Sequence, residues 1–274
     1  MPSVRREIAR RVESLVGADG VSLDRPDGDP GLFGPGSASW VVHGDVSAML
    51  IGGVSALLVQ MLHPRALAGV WDHSSFRRDM TGRLRRTAQF VGVATYGSTA
   101  QAQAAIGRVR RIHARVRGTL PDGTPYAADD PALLTWVHAA EVDAFLRAHL
   151  RYRDPWFPPS GQDRYLAEQA RLARMLGAAE VPESRAALAA YFRRVRPELR
   201  SDERTRTVSR LMLAQPSPSL ATAPFNNVLL RAGVDLMPGW ARRMHGLRLP
   251  FPGAPAVRAG ALGVGSVLRW AMAS

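Results

Sequence analysis

The sequence predicts an all-α fold, a single-domain helical bundle over residues 1–274, and three observations carry that prediction. Apolar residues recur at i, i+3 and i+4 through most of the chain. Caps and breakers stand where helices of ordinary length should begin and end: Asp45, His63-Pro64, Ser98 with Gln101, and Asp130-Pro131. No strand of convincing length, internal repeat, coiled-coil heptad or low-complexity tract interrupts the pattern.

In order, residues 4–16 read as an amphipathic helix, with Val4, Ile8, Val12 and Val16 at helical spacing. Residues 17–36, rich in Gly, Pro and Asp, read as a wrapping loop that ends on the apolar anchors Leu32, Phe33 and Trp40. Residues 1–44 are thus an N-terminal helix and loop, and 45–272 the helical core. Asp45 caps an apolar helix 46–62, which His63-Pro64 stops, and a short helix runs to about Trp71. A turn at Asp72-His73-Ser74-Ser75 leads into a helix over 78–95. The Ser98/Gln101 capping box starts the next helix, 99 to about 117, whose apolar face carries Ala102, Ile106, Val109, Ile112, His113 and Val116. The connector TLPDGTPYAADD contains a Pro-Asp-Gly turn and suits a short hairpin. Asp130-Pro131 opens a helix to about Tyr152, followed by helices near 161–176, 183–195, 202–214, 219–236 and 255–272.

Composition narrows the chemistry. The absence of cysteine excludes disulfides, zinc–thiolate sites, iron–sulfur clusters and thiolate-ligated haem. The net charge is +13, and every basic residue is Arg. These arginines are spread over amphipathic helices, with no basic tract of the kind that binds nucleic acid, so no nucleic-acid partner is expected. The N-terminus lacks the continuous apolar core of a signal peptide, and the longest apolar run, Val46 to Leu62, contains Gly52-Gly53, two serines and Gln60. The expectation is a cytoplasmic protein without stable membrane insertion. Homo-oligomerisation is left open.

No GxSxG elbow, P-loop or HExxH occurs. The pairs His63/His73 and His138/His149 lack the i, i+4 spacing that puts two imidazoles on one helix face. Glu141 follows His138 where a di-metal carboxylate site needs repeated Glu-x-x-His elements. His113 is the sharper candidate. A lone His on an apolar face is more often a core residue, but Ala102, Ala105 and Gly107 keep its helix thin enough for a flat ring. Arg83, Arg86 and Thr87 form a polar cluster at i, i+3 and i+4 on the preceding helix, and the surplus of Arg offers partners for propionates. Neutral His is the commonest axial ligand of haem b.

From about Val54 to Arg151 the sequence resembles the rubber oxygenases (latex-clearing proteins), the fungal oxygenases of mycophenolic-acid biosynthesis and their actinobacterial relatives. HPRALAGVWDHSSFRRD, RLRRTAQFVGVATYGS and VRRIHARVRGTLPDGTPYAADDPALLTWVHAAEVDAF carry the likeness, and the C-terminal third carries it more weakly. The resemblance implies a globin-like helical core holding haem b. It matches His113 to the proximal iron ligand and Arg83 and Thr87 to the distal polar residues of the RxxxT motif. His138, in WVH, would line the pocket or hydrogen-bond a neighbouring group. Where the rubber oxygenases carry a Lys before that Thr, this chain has Arg86, whose guanidinium has no lone pair for iron; it would leave the sixth position open and meet a propionate or dioxygen instead. The expected function is a haem b oxygenase or oxidase, with Arg83, Thr87 and Arg86 as catalytic residues, a small apolar substrate other than rubber, and dioxygen or peroxide as oxidant. The alternative is a non-catalytic haem-binding or redox-sensing protein.

Overall fold

The computed structural model describes Arg6 and residues 26–215, 223–248 and 253–272. The helix expected over residues 4–16 lies, Arg6 apart, outside the described residues, as does the first part of the wrapping loop. From Ala38 onward the described chain is helical, as expected: α1 (Ala38–His43), α2 (Val46–Gln60), α3 (Pro64–His73), α4 (Met80–Tyr96), α5 (Thr99–His113), α6 (Pro131–Tyr152), α7 (Pro159–Leu176), α8 (Arg185–Val195), α9 (Glu203–Leu213), α10 (Ala223–Leu236), α11 (Gly239–His245) and α12 (Ala254–Met272). The only strands among the described residues are β1 (Arg117–Thr119) and β2 (Pro125–Ala127), an antiparallel pair joined by the Pro-Asp-Gly turn.

The caps read from the sequence perform as caps. The Asp45 carboxylate accepts from the Ala48 amide, Asp130 from Ala132 and Leu133, and Ser98 and Gln101 close a reciprocal capping box. One boundary differs clearly. The helix begun at Thr99 ends at His113 instead of 117, because the chain turns at Ala114 to feed β1, so His113 is a terminal residue of α5. Two short helices, α1 and α11, escaped the pattern: six and seven residues hold too few turns to show a period.

The centre of the fold is α2. It packs along α6 and is backed on its other side by α10 and α12. Gly52 permits the close approach to α6: a Cβ there would stand 2.8 Å from the Phe145 ring and 3.2 Å from the Ala144 carbonyl. The main core gathers Leu58, Leu62, Trp136, Phe145, Tyr165, Phe192 and Met212 from five helices and the α2–α3 turn. Trp136 is fully enclosed, its indole N–H donating to the Gln60 carbonyl at 3.1 Å. Burying such a side chain is worth roughly 2–3 kcal/mol, and the paired N–H avoids the cost of an orphaned donor. No single helix among the described residues is long and apolar enough to cross a membrane; α2 and α3 reach that length only as a pair bent by 105°.

The loop before α1 fastens one end of the α4–α5 hairpin. Asp29 accepts from the Thr99 amide and hydroxyl at 2.8 and 2.6 Å, and Gly31, at φ +68°, sits where a Cβ would lie 2.5 Å from the Gly97 carbonyl. Leu32 and Phe33 pack with Ala94, Ile106 and Leu172, while the Trp40 indole donates to the Thr95 carbonyl at 2.9 Å. These are the three apolar anchors read from the sequence, and they hold the Tyr96-Gly97-Ser98 corner in place.

Candidate active site

α4 and α5 are joined by two residues and lie against each other, so they run antiparallel. At a rise of about 1.5 Å per residue, Arg83 and His113 both lie about 20 Å from the corner, which brings them to the same end of the hairpin. The hairpin packs on α1 and α7, but α4 makes no close packing on α2 or α6 among the principal helix contacts of the described residues. The run Ala88–Val93 of α4 is half-buried throughout. Stripes on the core helices are also half-buried: Leu50, Gly53 and Leu57 on α2, and Val137, His138 and Glu141 on α6. Leu84 and Val91 of α4 pack on the same core cluster as Val54, Leu57 and Val137. A Cβ added at Gly53 or Gly92 would meet nothing within 4 Å. An apolar face that keeps accessible surface inside a packed body borders a space.

The predicted site residues are placed as follows. His113 is half-buried, and its imidazole has no hydrogen-bond partner among the described residues. Burial lowers its pKa, opposed by the Asp129 carboxylate, so the ring is neutral near pH 7. Arg83 is half-buried and donates through Nη1 to Ser74 Oγ at 2.8 Å; burial, then the neighbouring Arg86 charge, depress its pKa. Thr87 and Arg86 are exposed: the Thr87 hydroxyl donates back to the Arg83 carbonyl at 3.2 Å, and Arg86 Nη1 reaches Asp79 Oδ2 at 3.5 Å. The three residues of the polar cluster therefore share a helix but not an environment. Ile112, expected on the apolar face of α5, is 55% exposed, and α5 ends one residue later.

His138 is half-buried, its Nε2 buried without a partner, and burial lowers its pKa to about 4. One turn on, Glu141 keeps some accessible surface yet is pushed up to about 7 by desolvation. Burial disfavours the charged form of this carboxyl. The sequence had offered Glu141 only as a metal ligand of the wrong order; its position three residues after His138, on one helix face, was the available signal. By contrast, two grooves of about 470 and 410 Å³ around Tyr191 and Arg194 include none of these residues.

The sequence motifs interlock. Arg65 of HPR bridges Asp130 of the DP turn at 2.8 Å, and the Tyr126 hydroxyl donates to Asp72 of DHS at 2.7 Å. Ser74 of the same DHS holds Arg83 of RxxxT. Gln60 donates to the carbonyl of Val137 in WVH, while His63 of HP stacks at 5.9 Å on Trp136. A sequence profile of one family spans residues 40–272, described as the catalytic domain of the ER-bound oxygenase mpaB/B′ and rubber oxygenase. The chain belongs to that family. No curated protein and no solved structure matches it significantly. The match takes in α10 and α12 of the C-terminal third as well as the 54–151 stretch, and membership in the mpaB/rubber oxygenase family makes the chain an oxygenase of undetermined substrate. Buried His43, which no motif marks, is a structural member of this mpaB/rubber-oxygenase-type body: Nδ1 meets Thr95 Oγ1 at 2.8 Å and Nε2 the Tyr165 hydroxyl at 3.0 Å, and burial takes its pKa to about 3.

Proposed function

We propose that the chain is a haem b-dependent oxygenase of a small apolar substrate, with His113 as the axial ligand of the iron. The observation that carries this reading is the unpartnered, neutral imidazole of His113 at the end of a hairpin that stands off from the α2–α6 core. The residues present fit a haem. An imidazole kept neutral offers a lone pair, half-buried Gly53 and Gly92 leave room above their backbones, and the apolar stripes of α2, α4 and α6 suit a macrocycle and an apolar substrate. Among the described residues no three His, Cys, Asp or Glu side chains gather to hold a metal, so the remaining donors would come from the ring.

When bound, haem would supply a redox-active iron for reaction with dioxygen or peroxide. Arg83 would present a guanidinium whose orientation Ser74 fixes, as a partner for a propionate or a polar substrate oxygen. Thr87 would contribute its hydroxyl after releasing the Arg83 carbonyl, and Arg86, paired with Asp79, would act from the rim. His138 would wall the space beside Glu141, and the apolar face of α2 would keep water out.

Purification with added haem tests the reading: a Soret band is expected for the native chain and its loss in His113→Ala, with the fold retained by circular dichroism. A band of equal height in His113→Ala would overturn the ligand assignment. Substrate-dependent oxygen uptake separates an oxygenase from a haem-binding sensor.

A further inference from the structure

The arginines are spread along the chain, but the acids are not. From Arg204 to Ser274 the sequence holds nine arginines and one acid, Asp235, so eight of the thirteen surplus positive charges fall in its last quarter. That acid is buried, held by Arg151 at 3.0 Å, Arg258 at 2.7 Å and Arg242 at 3.6 Å. The surface of this region therefore presents no carboxylate of its own among the described residues, while Arg231, Arg243 and Arg248 are exposed without an ion pair.

The outer face of α12 is the second observation. A helix packed on a soluble body normally turns charged residues outward. Here Ala261, Val264, Gly265 and Ala271 face inward, and the outward stripe is Ala259, Leu262, Gly263, Ser266, Val267 and Trp270. Leu262 is 44% and Trp270 56% exposed. The only charges on the helix, Arg258 and Arg269, lean onto Asp235 and Asp45 at 2.7 and 2.8 Å. Phe225, on the adjoining α10, is also exposed.

We propose that this face of α12, set in a region where arginines outnumber acids nine to one and beside α10 with its exposed Arg231, docks on an anionic lipid surface. Leucine and tryptophan side chains find an apolar sink at the headgroup boundary, and arginines find phosphates beside it. A nucleic acid would satisfy the arginines but offer nothing to Leu262 and Val267. A second copy meeting face to face would bring two strongly cationic regions together. Docking of this kind is peripheral and needs no spanning helix, and it does not depend on the haem reading.

Flotation of the full chain with vesicles tests it. Binding is expected to vesicles of equal parts phosphatidylcholine and phosphatidylglycerol, weaker by at least about tenfold to phosphatidylcholine alone, and to fall with salt. Leu262→Ser with Trp270→Ser should weaken binding by about tenfold or more. Their exposed positions leave the thermal melt unchanged. Arg231→Gln with Arg243→Gln should reduce binding and flatten its salt dependence. The proposal is overturned by absence of vesicle binding, by binding that the apolar double variant leaves intact, by tighter binding to duplex DNA than to the anionic vesicles, or by a dimer that Leu262→Ser with Trp270→Ser dissociates in a chain that ignores vesicles.

Discussion

The Arg83 guanidinium donates through Nη1 to Ser74 Oγ at 2.8 Å, tying the first turn of α4 to the turn that follows α3. Burial depresses the Arg83 pKa, so this hydrogen bond offsets part of the cost of holding a charge there. Ser74→Ala should lower stability by about 1–2 kcal/mol. Arg83→Met should remove most of that penalty, since no desolvated charge then lacks a partner. A double-mutant cycle by urea unfolding reads the coupling, expected near 1 kcal/mol. Strict additivity would show that the bond does not hold α4 in solution.

The Gly52-Gly53 pair on α2 should respond to alanine with opposite signs. A Cβ at Gly52 meets the Phe145 ring at 2.8 Å and backbone atoms of Ala144 and Phe145 at 3.2 Å. Backbone cannot give way, so Gly52→Ala should cost about 1–3 kcal/mol. At Gly53 nothing lies within 4 Å, and Gly53→Ala should stabilise by about 0.5–1 kcal/mol through helix propensity alone. Equal shifts in their urea midpoints would contradict the open space above Gly53.

These two positions show what the sequence could and could not disclose. Periodicity and capping place nearly every long helix, because Asp45, Ser98/Gln101 and Asp130-Pro131 act locally, through bonds spanning three residues. Which of two adjacent glycines meets a neighbour depends on α6, whose Phe145 is far away in the chain, and no local pattern reports it. The same holds at the site. His113, Arg83 and His138 stand out as residues of the right type, but the exposure of Thr87 and Arg86 and the desolvation of Glu141 follow from how the α4–α5 hairpin is hung on the body. The Ser74–Arg83 bond joins two motifs that were legible separately and whose contact was not.

Asp235 is the tightest electrostatic junction in the described fold. Its side chain is fully buried and serves Arg151, Arg242 and Arg258, whose side chains are 30%, 36% and 46% exposed. Removing the carboxylate strands three guanidiniums, but water reaches all of them, so Asp235→Ala should cost about 2–4 kcal/mol, below the figure for a fully dry pair. Arg258→Ala should cost less than about 1 kcal/mol, since two arginines remain on the carboxylate. Guanidinium unfolding would mask the comparison by screening; urea at low salt measures it. A loss for Arg258→Ala as large as that for Asp235→Ala would mean that packing, not charge, holds α12 to α10.

Stability should rise with pH up to about neutrality and then level off. Burial holds His43 at about 3 and His63 and His138 at about 4, against an ordinary 6.5. Between those values the unfolded chain binds more protons than the folded one, so these three contributions are complete above about pH 6.5 and are lost as the pH falls towards 4. Glu141 runs the other way. Its pKa is raised from 4.5 to about 7, so the folded chain binds the extra proton, and that contribution, complete below pH 4.5, is lost as the pH rises to 7. Three histidines outweigh one glutamate up to about neutrality, where both contributions run out; Glu141 only blunts the rise. Glu141→Gln keeps the shape and abolishes the charge. The variant should match the native chain at pH 4 and exceed it at pH 8 by about 1–3 kcal/mol, the difference opening between pH 4.5 and 7. Urea unfolding across that range measures it. An offset independent of pH would mean that Glu141 reaches water freely and does not face an enclosed space between α6 and α4.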